Sequence, residues 1–197
     1  MEILRKRIEQ EGKHLGKGIL KVDSFMNHQI DPMLMKAVGV EFAARFGHLK
    51  PTRILTAETS GIAPALSTAM AMEIPLVFAR KHKPVTMAAE PYIESAPSHT
   101  HGKQVDLIVS TEYLTAEDRV LIIDDFLATA RTLVALVNLV KASGATLLGI
   151  GAVIEKQFQN GREVLKDVDV QIESLAIIER FEDERVILAP STASLKA

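Results

Sequence analysis

A chain of 197 residues, 47% hydrophobic and 24% charged with a net charge of −2, has the balance of one globular domain that builds its own core. That near-neutral charge argues against nucleic acid as the main partner, because proteins that track a phosphate backbone carry a basic excess. The chain has no cysteine, so disulfides and thiolate metal sites are excluded. No apolar run reaches the ~18–20 residues of a bilayer span, and residues 1–10 lack the apolar core of a leader peptide. No membrane partner and a cytoplasmic location are expected.

Residues 2–11 read as a short helix with Ile3, Leu4 and Ile8 on one side. His14, Leu15, Gly16, Lys17 and Gly18 form a loop, followed by a brief apolar stretch over 19–22. Asp31-Pro32 is a helix start: the carboxylate can cap free amides, and proline suits the first helical position. Leu34, Val38, Phe42 and Phe46 then recur every four residues, a buried stripe on a helix ending near Gly47.

Beyond Arg53 the rhythm changes. Residues 54–57 read as a strand, 62–72 as an Ala- and Met-rich helix and 76–79 as the next strand. The stretch 85–104 keeps neither period and holds Pro91, Pro97 and Gly102. So long an aperiodic run inside a compact domain marks a mobile functional loop or a hairpin arm, and 105–109 returns as a strand. The clearest unit spans 119–154: an apolar strand Val120-Leu121-Ile122-Ile123, a loop over 124–130, a helix over 131–143 closed by Gly144, and a buried strand over 147–154. Near-continuous apolar strands joined by helices indicate a parallel sheet covered on both faces. Residues 170–178 and 186–188 read as late strands and 191–197 as a frayed tail. The expected fold is a doubly wound α/β domain, a mostly parallel sheet flanked by helices, with a small N-terminal addition over residues 1–50.

In such a sheet, ligands bind beyond the carboxyl ends of the strands. Three loops leave strands there: Glu58-Thr59-Ser60-Gly61, Arg80-Lys81-His82-Lys83, and residues 124–132; Glu155-Lys156 is a fourth candidate. The strongest segment is Asp124-Asp125-Phe126-Leu127-Ala128-Thr129-Ala130-Arg131-Thr132. Free amides at a helix start, with the dipole behind them, favour a phosphate over Ala128 to Thr132. The hydroxyls of Thr129 and Thr132 add donors, and the two carboxylates can accept from a vicinal diol such as that of ribose. Read alone, the segment is also compatible with an acidic turn capping a helix.

This strand, acid pair and small-residue loop resembles the phosphoribosyl pyrophosphate (PRPP) motif of the type I phosphoribosyltransferases. The resemblance implies that family's fold, with a small N-terminal/C-terminal hood and a flexible active-site loop over 84–104. It implies that Ala128, Thr129, Ala130, Arg131 and Thr132 hold the 5′-phosphate. Glu58, Thr59, Ser60 and Gly61 would form the pyrophosphate loop, joined by Arg80 and Lys83. Asp124, Asp125 and Lys81 would serve the chemistry, with Mg²⁺ arriving on PRPP and a homodimer in which Lys81 reaches a neighbouring site. The run Leu20-Lys21-Val22-Asp23-Ser24-Phe25-Met26-Asn27-His28-Gln29-Ile30-Asp31-Pro32, with Val153-Ile154-Glu155-Lys156, is similar to the xanthine-using bacterial branch of the family. That similarity implies xanthine as substrate, with Leu20, Asn27 and Lys156 binding the base; guanine or hypoxanthine is the neighbouring alternative. An ammonium suits an exocyclic oxygen and Asn27 can donate to a 2-oxo group, yet Asn27 also reads as a turn residue, Lys156 as a surface lysine and Phe158 as core packing. A PRPP-sensing regulator of the same fold would carry a DNA-binding module, and no helix-turn-helix pattern is visible. One departure stands out: Ala130, followed by Arg131, lies where the family commonly carries glycine, and alanine tolerates positive φ poorly.

Overall fold

In the computed structural model, which describes residues 1–87, 90–97 and 104–190, helix α1 (Glu2–Glu11) leads into two short strands, β1 (Lys13–His14) and β2 (Leu20–Lys21), that pair antiparallel. Helix α2 (Pro32–Phe46) begins where Asp31 accepts hydrogen bonds from the amides of Met33 (2.9 Å) and Leu34 (3.1 Å). The alternating unit follows: β3 (Arg53–Ala57), α3 (Ile62–Met72), β4 (Leu76–Ala79), then the antiparallel pair β5 (Tyr92–Pro97) and β6 (Gln104–Val109). Next come β7 (Arg119–Leu127), α4 (Arg131–Ser143), β8 (Thr146–Lys156), the single turn α5 (Gly161–Val164), β9 (Gln171–Glu182) and β10 (Arg185–Leu188).

Six strands form the main sheet in the order β10-β9-β8-β7-β3-β4, parallel throughout except for β10. The strands of this sheet are apolar because both faces are covered. On β7, Leu121 and Ile123 enter the core shared with α1, α2 and α3, while Val120 and Ile122 enter the core shared with α4. The stripe Leu34, Val38, Phe42 and Phe46 is fully or almost fully buried. It finds room because β8 carries glycine opposite it: a Cβ at Gly151 would lie 2.7 Å from the Phe42 ring, and one at Gly149 would lie 2.8 Å from the Phe46 ring.

Two details differ from the sequence reading, and a third decides between its alternatives. In α1 only Leu4 and Ile8 are buried, and Ile3 is 50% exposed, since the helix offers the sheet a narrow face. Strand β7 runs on to Leu127, so the acid pair lies in the strand rather than in the loop, held there by its pairing with β8 up to Leu127↔Glu155. Within 85–104, residues 92–97 are a strand, which is the hairpin alternative. Residues 88–89 and 98–103 of the expected hood loop, and the tail 191–197, lie outside the described residues. The hairpin is anchored by the reciprocal bonds between Arg80 and Ile108 (2.9 and 2.8 Å) and rests on α4, where Asn138 donates to Glu94 at 3.4 Å.

Candidate active site

Chain order reverses between β3 and β7: from β3 the chain moves outward to β4, then crosses back to β7 on the other side. Loops leaving two such neighbours diverge and open a crevice at their carboxyl ends. A cavity of ≈ 720 Å³ lies there, walled by both loops. Glu58, Thr59 and Ser60 form one side. Glu58 braces the β4 loop, its carboxylate accepting from the Lys81 amide at 2.7 Å and its own amide donating to Ala79 at 3.0 Å. Lys81 therefore faces the same cavity. Gly61 lies beneath, where any side chain would overlap Thr56 and the Asp124 carboxylate.

Asp124 and Asp125 meet the cavity with different exposure. Asp124 is 4% exposed, and burial, reinforced by the Asp125 charge, raises its carboxyl well above the usual carboxylate range; Lys81 opposes the shift. Its Oδ1 accepts from the Asp125 amide at 3.0 Å. Asp125 is half-buried, its Oδ1 accepting from the Phe126 amide at 2.9 Å.

The opposite side is the turn into α4. Ala128, Thr129, Ala130, Arg131 and Thr132 all line the cavity. Ala130 takes φ 60° and ψ 9°, the left-handed conformation that alanine enters only at a cost. The turn thus has the geometry a glycine would adopt, with the penalty retained. The Thr129 hydroxyl oxygen is buried without a hydrogen-bond partner among the described residues, an arrangement suited to an incoming phosphate oxygen.

Lys156, the last residue of β8, supplies the third side. Its Nζ donates to the Gly18 carbonyl at 2.9 Å and sits 5.1 Å above the Phe126 ring. Burial lowers the ammonium's pKa, and Asp125 partly restores it. Lys17, Gly18 and Ile19 bring the N-terminal segment to the cavity. Leu20 is 6% exposed within the core, and Asn27 is exposed at the end of the Asp23–Asn27 turn; neither lines the cavity wall. Arg80 and Lys83 also stand off the wall, Arg80 with its guanidinium 5.6 Å over the Phe78 ring. Phe158 packs edge-on to Phe181, whose other contact is a stacked His14 ring. Ile19, Phe126 and Gln159 are cavity residues whose types carry no chemical signal in the sequence.

The family model of the phosphoribosyl transferase domain matches residues 31–186. The chain belongs to the phosphoribosyltransferase family. A xanthine phosphoribosyltransferase of Lacticaseibacillus casei is 48% identical over 96% of this chain and 99% of its own. One from Deinococcus deserti is 49% identical over 93% of this chain and 95% of its own. Among solved structures, the adenine phosphoribosyltransferase of Trypanosoma brucei, in complex with AMP, pyrophosphate and ribose-5-phosphate, superposes with a TM-score of 0.73 at 21% identity, covering 98% of this chain and 90% of that one. At that identity the likeness is one of fold. As a phosphoribosyltransferase the chain has a cavity that joins a helix start, an acid pair and three lysines, groups of the chemical kinds that suit a phosphorylated sugar.

Proposed function

We propose that this phosphoribosyltransferase joins xanthine to PRPP, releasing pyrophosphate and xanthosine 5′-monophosphate, as a salvage enzyme of the cytoplasm. The observation that carries the reading is the meeting, in one cavity, of the Ala128 to Thr132 turn, the acid pair and Lys156 from the far side. The relatives named for xanthine, alike over nearly the whole chain, support the choice of base. Lys156 favours a 6-oxo over a 6-amino purine, because an ammonium has only donors to offer.

In this reading the turn into α4 seats the 5′-phosphate, with the Thr129 hydroxyl as one donor. Asp124 and Asp125 hold the ribose diol, and Asp125, the less buried of the two, favours the positive charge that develops at C1′. The loop of Glu58, Thr59, Ser60 and Gly61, with Lys81, Arg80 and Lys83, receives the departing diphosphate. Leu20, next in the chain to the lining residue Ile19, and Asn27 are assigned to binding of the base. The Asp124–Asp125 pair offers hard oxygen donors at the cavity, and with the diphosphate it would hold Mg²⁺. Mg²⁺ bound in that way would neutralise charge on the leaving group. No helix of the described residues is long and apolar enough to cross a membrane. Xanthine binds partly as an anion, so N9 attacks C1′ without a dedicated base from the chain. We further propose a homodimer, and residues 84–104 as the hood that excludes water from the bound substrates.

Steady-state turnover with PRPP, Mg²⁺ and each purine in turn tests the reading, with pyrophosphate release as the signal. The highest kcat/KM is expected with xanthine. A maximum with guanine would reassign the base, and no turnover with any purine would leave a PRPP-binding protein without chemistry. Lys156→Ala is expected to raise KM for the base by roughly tenfold or more while KM for PRPP changes little, as loss of a charge-assisted hydrogen bond does.

A further inference from the structure

Behind the cavity wall, an ion pair ties its two ends together. Glu155 immediately precedes Lys156 on β8 and pairs in register with Leu127 of β7, the residue before Ala128. Its side chain is only 4% exposed. The carboxylate accepts from Arg162 Nε at 2.8 and 3.0 Å and from the Ser174 hydroxyl at 2.6 Å. Arg162 also donates from Nη1 to the Ile172 carbonyl at 3.1 Å and from Nη2 to Ser174 Oγ at 3.4 Å. Arg162 is the second residue of α5, and the first, Gly161, lies hard against the back of the turn into α4. A Cβ at 161 would overlap the Ala128 carbonyl and come within 2.8 Å of Leu127 Cδ1.

A carboxylate this deeply buried requires its cation and its other hydrogen bonds. The planar guanidinium also fixes direction, which an ammonium on a flexible stem does not. Through Glu155 the guanidinium holds the strand end that carries Lys156; through the backbone it holds Gly161 against Ala128. We propose that Arg162 is a positioning residue that sets the separation between the base site and the phosphate turn, so that both substrates are presented at one distance. The inference rests on the reaction proposed above.

The test is the full set of initial rates for xanthine and PRPP with wild type and Arg162→Lys, alongside thermal melting of each. The lysine keeps the charge and loses the fork. kcat should fall by roughly ten- to a hundredfold, as misplacement of reacting partners by about an ångström implies, while KM for xanthine and KM for PRPP change little and melting stays near that of wild type. An unmoved kcat in a folded Arg162→Lys protein would overturn the proposal and leave a pair that serves only folding. If that variant does not fold, Ser174→Ala removes the hydroxyl's bonds to Glu155 and Arg162 without stranding the charge; a fall in kcat with little change in either KM supports the proposal and an unchanged kcat overturns it. Absence of turnover by wild type itself overturns the reaction and this inference with it, whereas wild-type turnover with an unmoved variant kcat overturns the inference alone.

Discussion

At Asp124, burial and the adjacent Asp125 charge both favour the protonated acid, so the folded chain holds a proton there that the unfolded chain releases at lower pH. With more protons bound in the folded than in the unfolded state, stability falls as pH rises above the ordinary carboxylate range toward the raised folded value. Asp124→Asn removes that loss while its side-chain oxygen can still accept from the Asp125 amide. Urea denaturation at several pH values should find the variant more stable than wild type by a margin that grows with pH. An unchanged pH slope would show that Asp124 is not the group responsible. At this scale the acid pair and the Thr129 hydroxyl are legible in the sequence, because adjacent charges and a helix start leave few alternatives. Ala130 is legible only as a conflict: the residue type argues against φ 60°, and the backbone adopts it all the same. Lys156 is readable as a cation, but its seat above Phe126 and on the Gly18 carbonyl depends on segments 138 positions apart, which no local pattern encodes.

Between elements, α2 and β8 show how little of a fold's packing resides in one segment. The four-residue repeat from Leu34 to Phe46 announces a buried helix face, and Asp31-Pro32 its start, and both stand as read. That Phe42 and Phe46 press on Gly149 and Gly151 follows only once β8 is the strand beneath them. Gly151→Ala should lower stability by about 1–3 kcal/mol, the usual cost of overpacking a filled core, and Phe42→Leu in the same chain should recover part of the loss. Melting curves of the two single variants and the double variant check this; simple additivity of the losses would show that the two sites do not compete for one space. The extension of β7 through Asp124 and Asp125 escapes a sequence reading for a related reason. Charged residues end an apolar run, yet the backbone pairing with β8 does not depend on side-chain polarity.

For the molecule as a whole, α2 and α3 turn several large apolar side chains outward: Met33 is 69% exposed, Val40 56%, Leu66 48% and Met70 71%. An apolar surface on neighbouring helices is what a self-associating protein would cover, and it is this face that we expect at the homodimer contact. Sedimentation should find two 21.6 kDa chains together in the wild type and single chains for Leu66→Glu with Met70→Glu. A wild type that sediments as a single chain would refute the dimer. The chain also holds no tryptophan. Placing one at Phe126 would therefore give a single indole whose ring lies beneath the Lys156 ammonium, a cation able to alter its emission. As an oxopurine arrives and draws that ammonium toward its carbonyl, the fluorescence should change in step with occupancy of the base site. A packing contact would then serve as an optical reporter, able to follow base entry before any bond to the sugar is made.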